Sequence, residues 1–261
     1  MTAVLQVRGL SHSFGALTAV SGLDLDVGEG EIVSLIGPNG SGKTTTINVI
    51  SGVYRPSAGR VVLDGSDLTG RAPDVVAGRG VMRTFQNIRL FPQMSVLDNV
   101  LVGAHGRLPV GPLGAVLRTP RVRRAEREAM EEAEELMGIF GERLRPRRHD
   151  PVVSLSYANR RRTEICRALM GHPRVLLLDE PAAGMNPSET LELAGQVRAI
   201  RGRGVNVLLI EHHMQMVMDI SDRVVVMDHG LKIAEGRPAQ VAADARVIEA
   251  YLGRRAAAAA E

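Results

Sequence analysis

Aromatic side chains are scarce in this chain: Trp is absent and the aromatic fraction is 3%. Binding of single-stranded nucleic acid relies on such rings as stacking platforms, so the composition disfavours that class of protein. Lysine is nearly absent as well. Of 32 basic residues only Lys43 and Lys232 are lysine, and 29 acidic residues bring the net charge to +3. That balance argues only weakly for nucleic acid or for an anionic membrane surface. Cysteine occurs once, at Cys166, which excludes an intrachain disulfide and suits a reducing compartment. No run approaches the roughly 20 apolar residues that span a bilayer. Met1-Thr2-Ala3-Val4-Leu5-Gln6 lacks the basic-then-apolar order of a secretion signal. The expectation is a soluble chain, or one held at a membrane by something else. Aliphatic residues, by contrast, are plentiful. With 44% hydrophobic residues over 261 positions, the chain can build one large domain or a core with a subdomain.

The most informative stretch is Gly37-Pro38-Asn39-Gly40-Ser41-Gly42-Lys43-Thr44, which fits the phosphate-binding pattern G-x-x-x-x-G-K-[ST]. Glu31-Ile32-Val33-Ser34-Leu35-Ile36 before it reads as a buried strand, and Thr45-Thr46-Ile47-Asn48-Val49-Ile50 after it reads as a helix opening. In that context Asn39, Gly40, Ser41 and Gly42 form the loop. Its backbone N–H groups line up on phosphate oxygens at the positive end of the helix. Lys43 would place its charge against the β- and γ-phosphates. Thr44 would ligate Mg2+, with Thr45 beside it near the γ-phosphate.

Upstream, Val4-Leu5-Gln6-Val7 and Leu23-Asp24-Leu25-Asp26-Val27 alternate like half-buried antiparallel strands, and Phe14 between them could stack on adenine. Gly59 to Gly65 reads as a short strand ending in a turn. Gly80 to Asn87 starts like a strand and ends near Gln86, whose carboxamide oxygen can bind Mg2+ or an attacking water. Ser95 is a helix N-cap with Asp98 at the third helical position. Residues 103–120, rich in Gly and Pro, read as a loop or broken helical excursion. Val122, Ala125, Ala129, Ala133, Leu136 and Phe140 then mark one apolar helix face, with an Arg/Glu-rich solvated surface opposite. Arg143 to His149 is a basic run in loop, the better candidate for a charged patch.

Val175-Leu176-Leu177-Leu178-Asp179-Glu180-Pro181 is a buried-strand pattern ending in two carboxylates, the end at which open α/β sheets bind ligands. Asp179 can hold Mg2+ through water, and Glu180 can polarise the water that attacks the γ-phosphate. Val205 to Ile210 repeats the buried strand and is followed by His212 and His213. His212 lies 32 residues beyond Glu180, within reach of the same phosphate, and His213 competes with it.

Taken together, these motifs resemble the ATP-binding subunit of an ABC transporter from about Val4 to Leu252. The P-loop is Gly37–Thr44, the Q-loop glutamine Gln86, the Walker B pair Asp179 and Glu180, and the switch histidine His212. The D-loop position falls at Ala183-Gly184-Met185-Asn186 and the adenine-stacking aromatic at Phe14. The family signature Leu-Ser-Gly-Gly-Gln aligns with Leu155-Ser156-Tyr157-Ala158-Asn159. The resemblance implies that Ser156 bonds the γ-phosphate held by an opposite subunit. Ala158 and Asn159 depart from the pattern, and a methyl group on Ala158 is expected to hinder approach to that phosphate and slow hydrolysis.

The finer resemblance is to branched-chain amino-acid uptake members, specifically the one with the long insertion. It rests on Arg83 to Phe91, on the 103–120 excursion, on Pro181 to Pro187 and on Ile248-Glu249-Ala250-Tyr251-Leu252-Gly253. Urea and short-amide importers share these features. The expected fold is an α/β P-loop NTPase core with an N-terminal antiparallel β-subdomain and an inserted α-helical subdomain. The expected division is 1–87 and 169–235 for the core, 88–168 for the helical subdomain and 236–261 for a C-terminal helix and Ala-rich tail. The implied cofactors are ATP and Mg2+. The implied partners are permease subunits, a second ATP-binding subunit, identical or not, and indirectly a solute-binding protein outside the membrane. This places the chain peripherally on the cytoplasmic face. Nucleic-acid or ribosome-acting relatives carry two cassettes or a long coiled coil, whereas here one cassette has about 110 residues between Thr44 and Leu155. A lipid or lipopolysaccharide exporter is the other reading, against which the 103–120 excursion argues.

Overall fold

The computed structural model describes residues 3–107 and 119–258, with side chains as far as 251; most of the 103–120 excursion lies outside these residues. Two sheets organise the chain. The first is antiparallel. Strands β1 (Ala3–Phe14) and β2 (Leu17–Gly28) form a long hairpin with Val7 opposite Leu25 and Phe14 opposite Leu17. β4 (Ala58–Leu63) and β5 (Ser66–Asp67) complete the order β2-β1-β4-β5. The two strands expected from alternation are therefore longer than the alternating stretches, and Phe14 closes a strand rather than sitting in a loop.

The second sheet has the order β10-β9-β3-β8-β7-β6. Its members are β3 (Ile32–Ile36), β6 (Val81–Arg83), β7 (Val175–Asp179), β8 (Asn206–Ile210), β9 (Arg223–Asp228) and β10 (Leu231–Gly236). All are parallel except β10, which pairs antiparallel with β9 at the edge. β3 lies between β8 and β9, so every residue of Ile32–Ile36 is buried.

The apolar runs are continuous because both faces of this sheet are covered. Ile32, Leu176, Leu178, Val207 and Leu209 face one core, and Val33, Leu35, Val175, Leu177, Leu208 and Ile210 the other. The second core is closed by α1 (Lys43–Ile50) and the β1–β2 hairpin. The first is closed by α3 (Val96–Val102), α4 (Pro120–Met137), α5 (Tyr157–Leu169), α6 (Pro187–Gly202) and α7 (Met214–Ile220). The short helix α2 (Pro73–Gly78) lies between β5 and β6, and α8 (Pro238–Ala242) and α9 (Ala245–Ala258) follow β10. Because α3, α4 and α5 share one core with the sheet, the helical excursion is packed on it rather than tethered to it.

Local signals behave as their chemistry dictates. Ser95 Oγ accepts from the Asp98 amide at 3.0 Å and caps α3. On α4, Val122, Ala129, Ala133 and Leu136 are buried, while Arg124 and Glu128 pair across one turn of the solvated face at 2.8 Å. Two readings change. β6 stops at Arg83, so Gln86 lies in a loop three residues beyond the strand. The basic run is not an unpaired patch: Arg143 bonds Glu192, Arg147 pairs with Asp150 and Arg148 with Glu134.

Candidate active site

The phosphate loop leaves β3 at its carboxyl end and enters α1 at Lys43. Two of its glycines are obligatory. Gly37 has φ 150°, and a Cβ there would lie 2.0 Å from the Met227 carbonyl oxygen. Gly42 has φ 101°, and a Cβ would lie 2.4 Å from the Ala19 carbonyl oxygen. Asn39 and Gly40 are exposed at the loop tip, Ser41 is buried, Thr44 is exposed and Thr45 half-buried at the first helical turn. Lys43 Nζ donates to the carbonyls of Gly37 and Pro38, both at 2.8 Å, which aims its charge along the loop. Cations and N–H dipoles thus converge where phosphates would sit.

Beyond the sheet's carboxyl edge the acidic groups assemble. Asp179 ends β7, with its side chain 1% exposed, and its Oδ2 accepts from Arg83 Nη2 at 2.8 Å. Its Oδ1 is buried and meets no protein donor. Glu180 follows with φ 49°, a conformation that costs a side-chain-bearing residue about 1–3 kcal/mol and survives where the surroundings impose it. The Glu180 carboxylate stands between two partners: Oε1 is 2.8 Å from His212 Nε2, and Oε2 accepts from Gln86 Nε2 at 3.2 Å. Residues 94 and 32 positions apart in sequence thereby meet on one carboxylate. His213 does not compete, because its Nδ1 turns to Glu211 Oε2 at 3.0 Å.

A Mg2+ ion fits this corner by donor chemistry. The orphaned Asp179 oxygen is a buried anionic acceptor, and the Thr44 hydroxyl and the Gln86 amide are the other hard oxygen donors named from the sequence. Among the described residues no group of three His, Cys, Asp or Glu could enclose a metal. Mg2+ takes one or two carboxylates and completes its shell with phosphate oxygens and water.

Phe14 is 47% exposed and packs edge-on against His12 and Tyr54, with ring centroids 4.6 and 5.4 Å away. Its ring is thus braced from behind with one side open. Ser156 is exposed and caps α5, its Oγ accepting from the Asn159 amide at 3.4 Å. Ala158 is placed differently from what its departure from the signature suggests. It lies in the first turn of α5, 4% exposed, with its methyl group in the hydrophobic core rather than on the open face. Asn159 also turns inward, its Oδ1 accepting from Arg162 Nη1 at 3.0 Å. Both side chains are buried within this chain.

Several residues escaped the sequence reading. Arg83 joins Asp179 to Asn48 Oδ1 (2.6 Å) and Ser51 Oγ (3.1 Å) of the α1 segment. Glu211, 1% exposed, accepts from the amides of Ala182 (2.7 Å), His212 (2.8 Å) and His213 (3.0 Å), fixing the histidine loop against the segment after Glu180. Its position at the end of a buried strand, like that of Asp179, was the available signal. Cys166 is not a nucleophile, since burial pushes its thiol above the usual range.

A family model described as ABC transporter matches residues 20–183. The chain belongs to the ABC transporter ATP-binding family, which binds nucleotide. A second model, branched-chain amino acid ATP-binding cassette transporter, matches residues 232–257. The chain is 45% identical to the high-affinity branched-chain amino acid transport ATP-binding protein BraF of Pseudomonas aeruginosa, over 96% of this chain and 98% of the relative. It is 43% identical, over the same shares, to LivG of Escherichia coli K12, which carries the same description. Among solved structures it is similar to the ADP conformation of MJ1267, an ATP-binding cassette of an ABC transporter, with TM-score 0.84 and 32% identity, covering 97% of this chain and all of that one.

Proposed function

We propose that the chain hydrolyses ATP as one of a pair of ATP-binding subunits and so powers import of branched-chain amino acids through a membrane permease. The observation that carries the hydrolytic reading is the Glu180 carboxylate held between Gln86 and His212 at the sheet edge bearing the phosphate loop. Phe14 stacks on the adenine, and the loop from Asn39 to Thr45 binds the phosphates, with Lys43 against the β- and γ-oxygens. Thr44, Gln86 and Asp179 would hold Mg2+, which when bound would supply charge neutralisation at the phosphates. Glu180 orients the attacking water and accepts its proton, while His212 and Lys43 steady the charge that develops on the phosphoryl group. Ser156 of a second subunit completes the site.

The solute class is supported by the C-terminal family match and by the names of the relatives. The partners in this reading are permease subunits, a second ATP-binding subunit and, indirectly, a solute-binding protein. No described helix is long and apolar enough to cross a membrane. In this reading the permease holds the chain peripherally at the cytoplasmic face. The segment 88–168 is the subdomain that meets it.

Glu180→Gln keeps the shape of the side chain and removes its charge. ATP should bind with unchanged affinity while turnover falls at least about 100-fold. Near-normal turnover would move the catalytic role to another residue. For the solute, the chain reconstituted with its permease and binding protein should be stimulated by leucine, isoleucine or valine; stimulation by urea or a short amide instead would reassign it.

A further inference from the structure

Helix α5 carries two charged side chains that solvent does not reach. Arg161 is 0% exposed and Glu164 1%, and Arg161 Nη1 lies 2.7 Å from Glu164 Oε2. Burial alone pushes the Glu164 carboxyl up, against the opposing pull of Arg161. Such a pair is costly to bury, and replacing it with apolar residues is often neutral for stability, so its retention calls for a specific task.

Its partners identify the task. Arg161 donates through Nη1 to the carbonyl of Phe85 and through Nη2 to the carbonyl of Gln86, the latter at 2.7 Å. Glu164 Oε1 accepts from the amides of Phe85 at 3.3 Å and Arg89 at 3.4 Å. The loop after β6 is therefore fastened, backbone group by backbone group, to a helix 75 residues further along the chain. Arg161 Nη2 also reaches the Tyr157 hydroxyl at 3.2 Å, and Tyr157 directly follows Ser156. Between these anchors the side-chain amide of Gln86 touches Glu180. A continuous set of contacts thus runs from the Ser156 loop through Tyr157 and Arg161 to Gln86 and Glu180.

We infer that Arg161 is a positioning residue for hydrolysis: its guanidinium fork ties the Ser156 loop, which serves the partner's site, to Gln86, which touches Glu180 of this chain, so that the two move together. The inference rests on the assignment of Glu180 and Gln86 to the site. The fork is the essential element. A planar guanidinium holds two neighbouring carbonyls at fixed spacing, which a lysine ammonium cannot do. A shift of α5 is then passed to the Gln86 amide rather than absorbed by loop freedom.

Two variants test this in the full chain assembled with its partner subunits. Arg161→Lys keeps the charge beside Glu164 and removes the fork. The double variant Arg161→Met with Glu164→Leu removes the pair, fills its volume with apolar atoms and frees the backbone groups of Phe85, Gln86 and Arg89, so its melting temperature is measured beside its turnover. In both, kcat should fall about 10-fold or more through misplacement of Gln86, with KM for ATP changed less than about twofold because the phosphate loop is untouched. Amide hydrogen exchange at Phe85 and Arg89 should accelerate in the double variant, while β7 stays protected. Parental turnover in either variant overturns the inference, as does a loss of turnover that only tracks a fall in melting temperature. Glu180→Gln run alongside separates the two ideas: if it is inactive and Arg161→Lys is not, the tie fails and the catalytic reading stands.

Discussion

Ala158 shows how a single substitution reads differently once its direction in space is known. As a letter in place of a signature glycine, it suggests a methyl group in the way of a phosphate. In the structure the backbone is helical and the methyl is core packing. Ala158→Gly should therefore cost stability, about 0.5–1 kcal/mol from helix propensity plus the loss of a buried methyl, and bring no gain in turnover. Thermal melts and steady-state ATPase assays check both halves. Higher turnover would restore the steric reading. The inward direction was legible: Ala158, Ile165, Cys166 and Leu169 recur at helical spacing, and all four are buried.

At the level of elements, α6 illustrates what short-range chemistry does settle. Asn186 Oδ1 accepts from the Glu189 amide at 2.9 Å while Glu189 Oε2 accepts from the Asn186 amide at 3.1 Å, with Pro187 at the first helical position. Asn186→Ala should cost about 1 kcal/mol, read as a fall of about 2–4 °C in melting temperature. An unchanged melt would mean that the cap adds nothing to the start of α6. Caps, the phosphate loop and the buried strands were all legible because each is written in adjacent residues. The charged contacts of α5 and β6 were not. Arg83, Arg161 and Glu164 are spelled like surface residues, and what distinguishes them is a partner 96, 76 or 75 positions away. Gln86 was legible as a carboxamide closing a strand-like stretch, and its meeting with Glu180 is a product of sheet order.

For the molecule as a whole, that order is the feature periodicity leaves open. A buried apolar run announces a parallel strand without naming its neighbours. β3 has β8 on one side and β9 on the other, both far downstream. The phosphate loop is likewise walled by Met227 and tied by the Gly230 amide to the Ser41 carbonyl at 3.1 Å. A fragment ending at residue 203, after α6, keeps the whole phosphate loop and loses both neighbours of β3. It should show no cooperative melt and no measurable ATP affinity by equilibrium titration. Wild-type affinity in that fragment would show that the loop is shaped by its own sequence.

The same arrangement sets a schedule for synthesis. The Ile32 amide waits for the Asp222 carboxylate, 190 residues later, to which it bonds at 2.9 Å. At ribosomal speeds of about 5–20 residues per second, that interval is about 10–40 s. For most of it Ile32, Val33, Leu35 and Ile36 have been made while neither strand that will cover their edges exists, β8 following only at Asn206 and β9 at Arg223. A nascent chain in that window presents an unpaired apolar strand next to an unshaped phosphate loop, and is exposed to pairing with another copy. The phosphate-binding residues are thus among the first to be made and among the last to become a site.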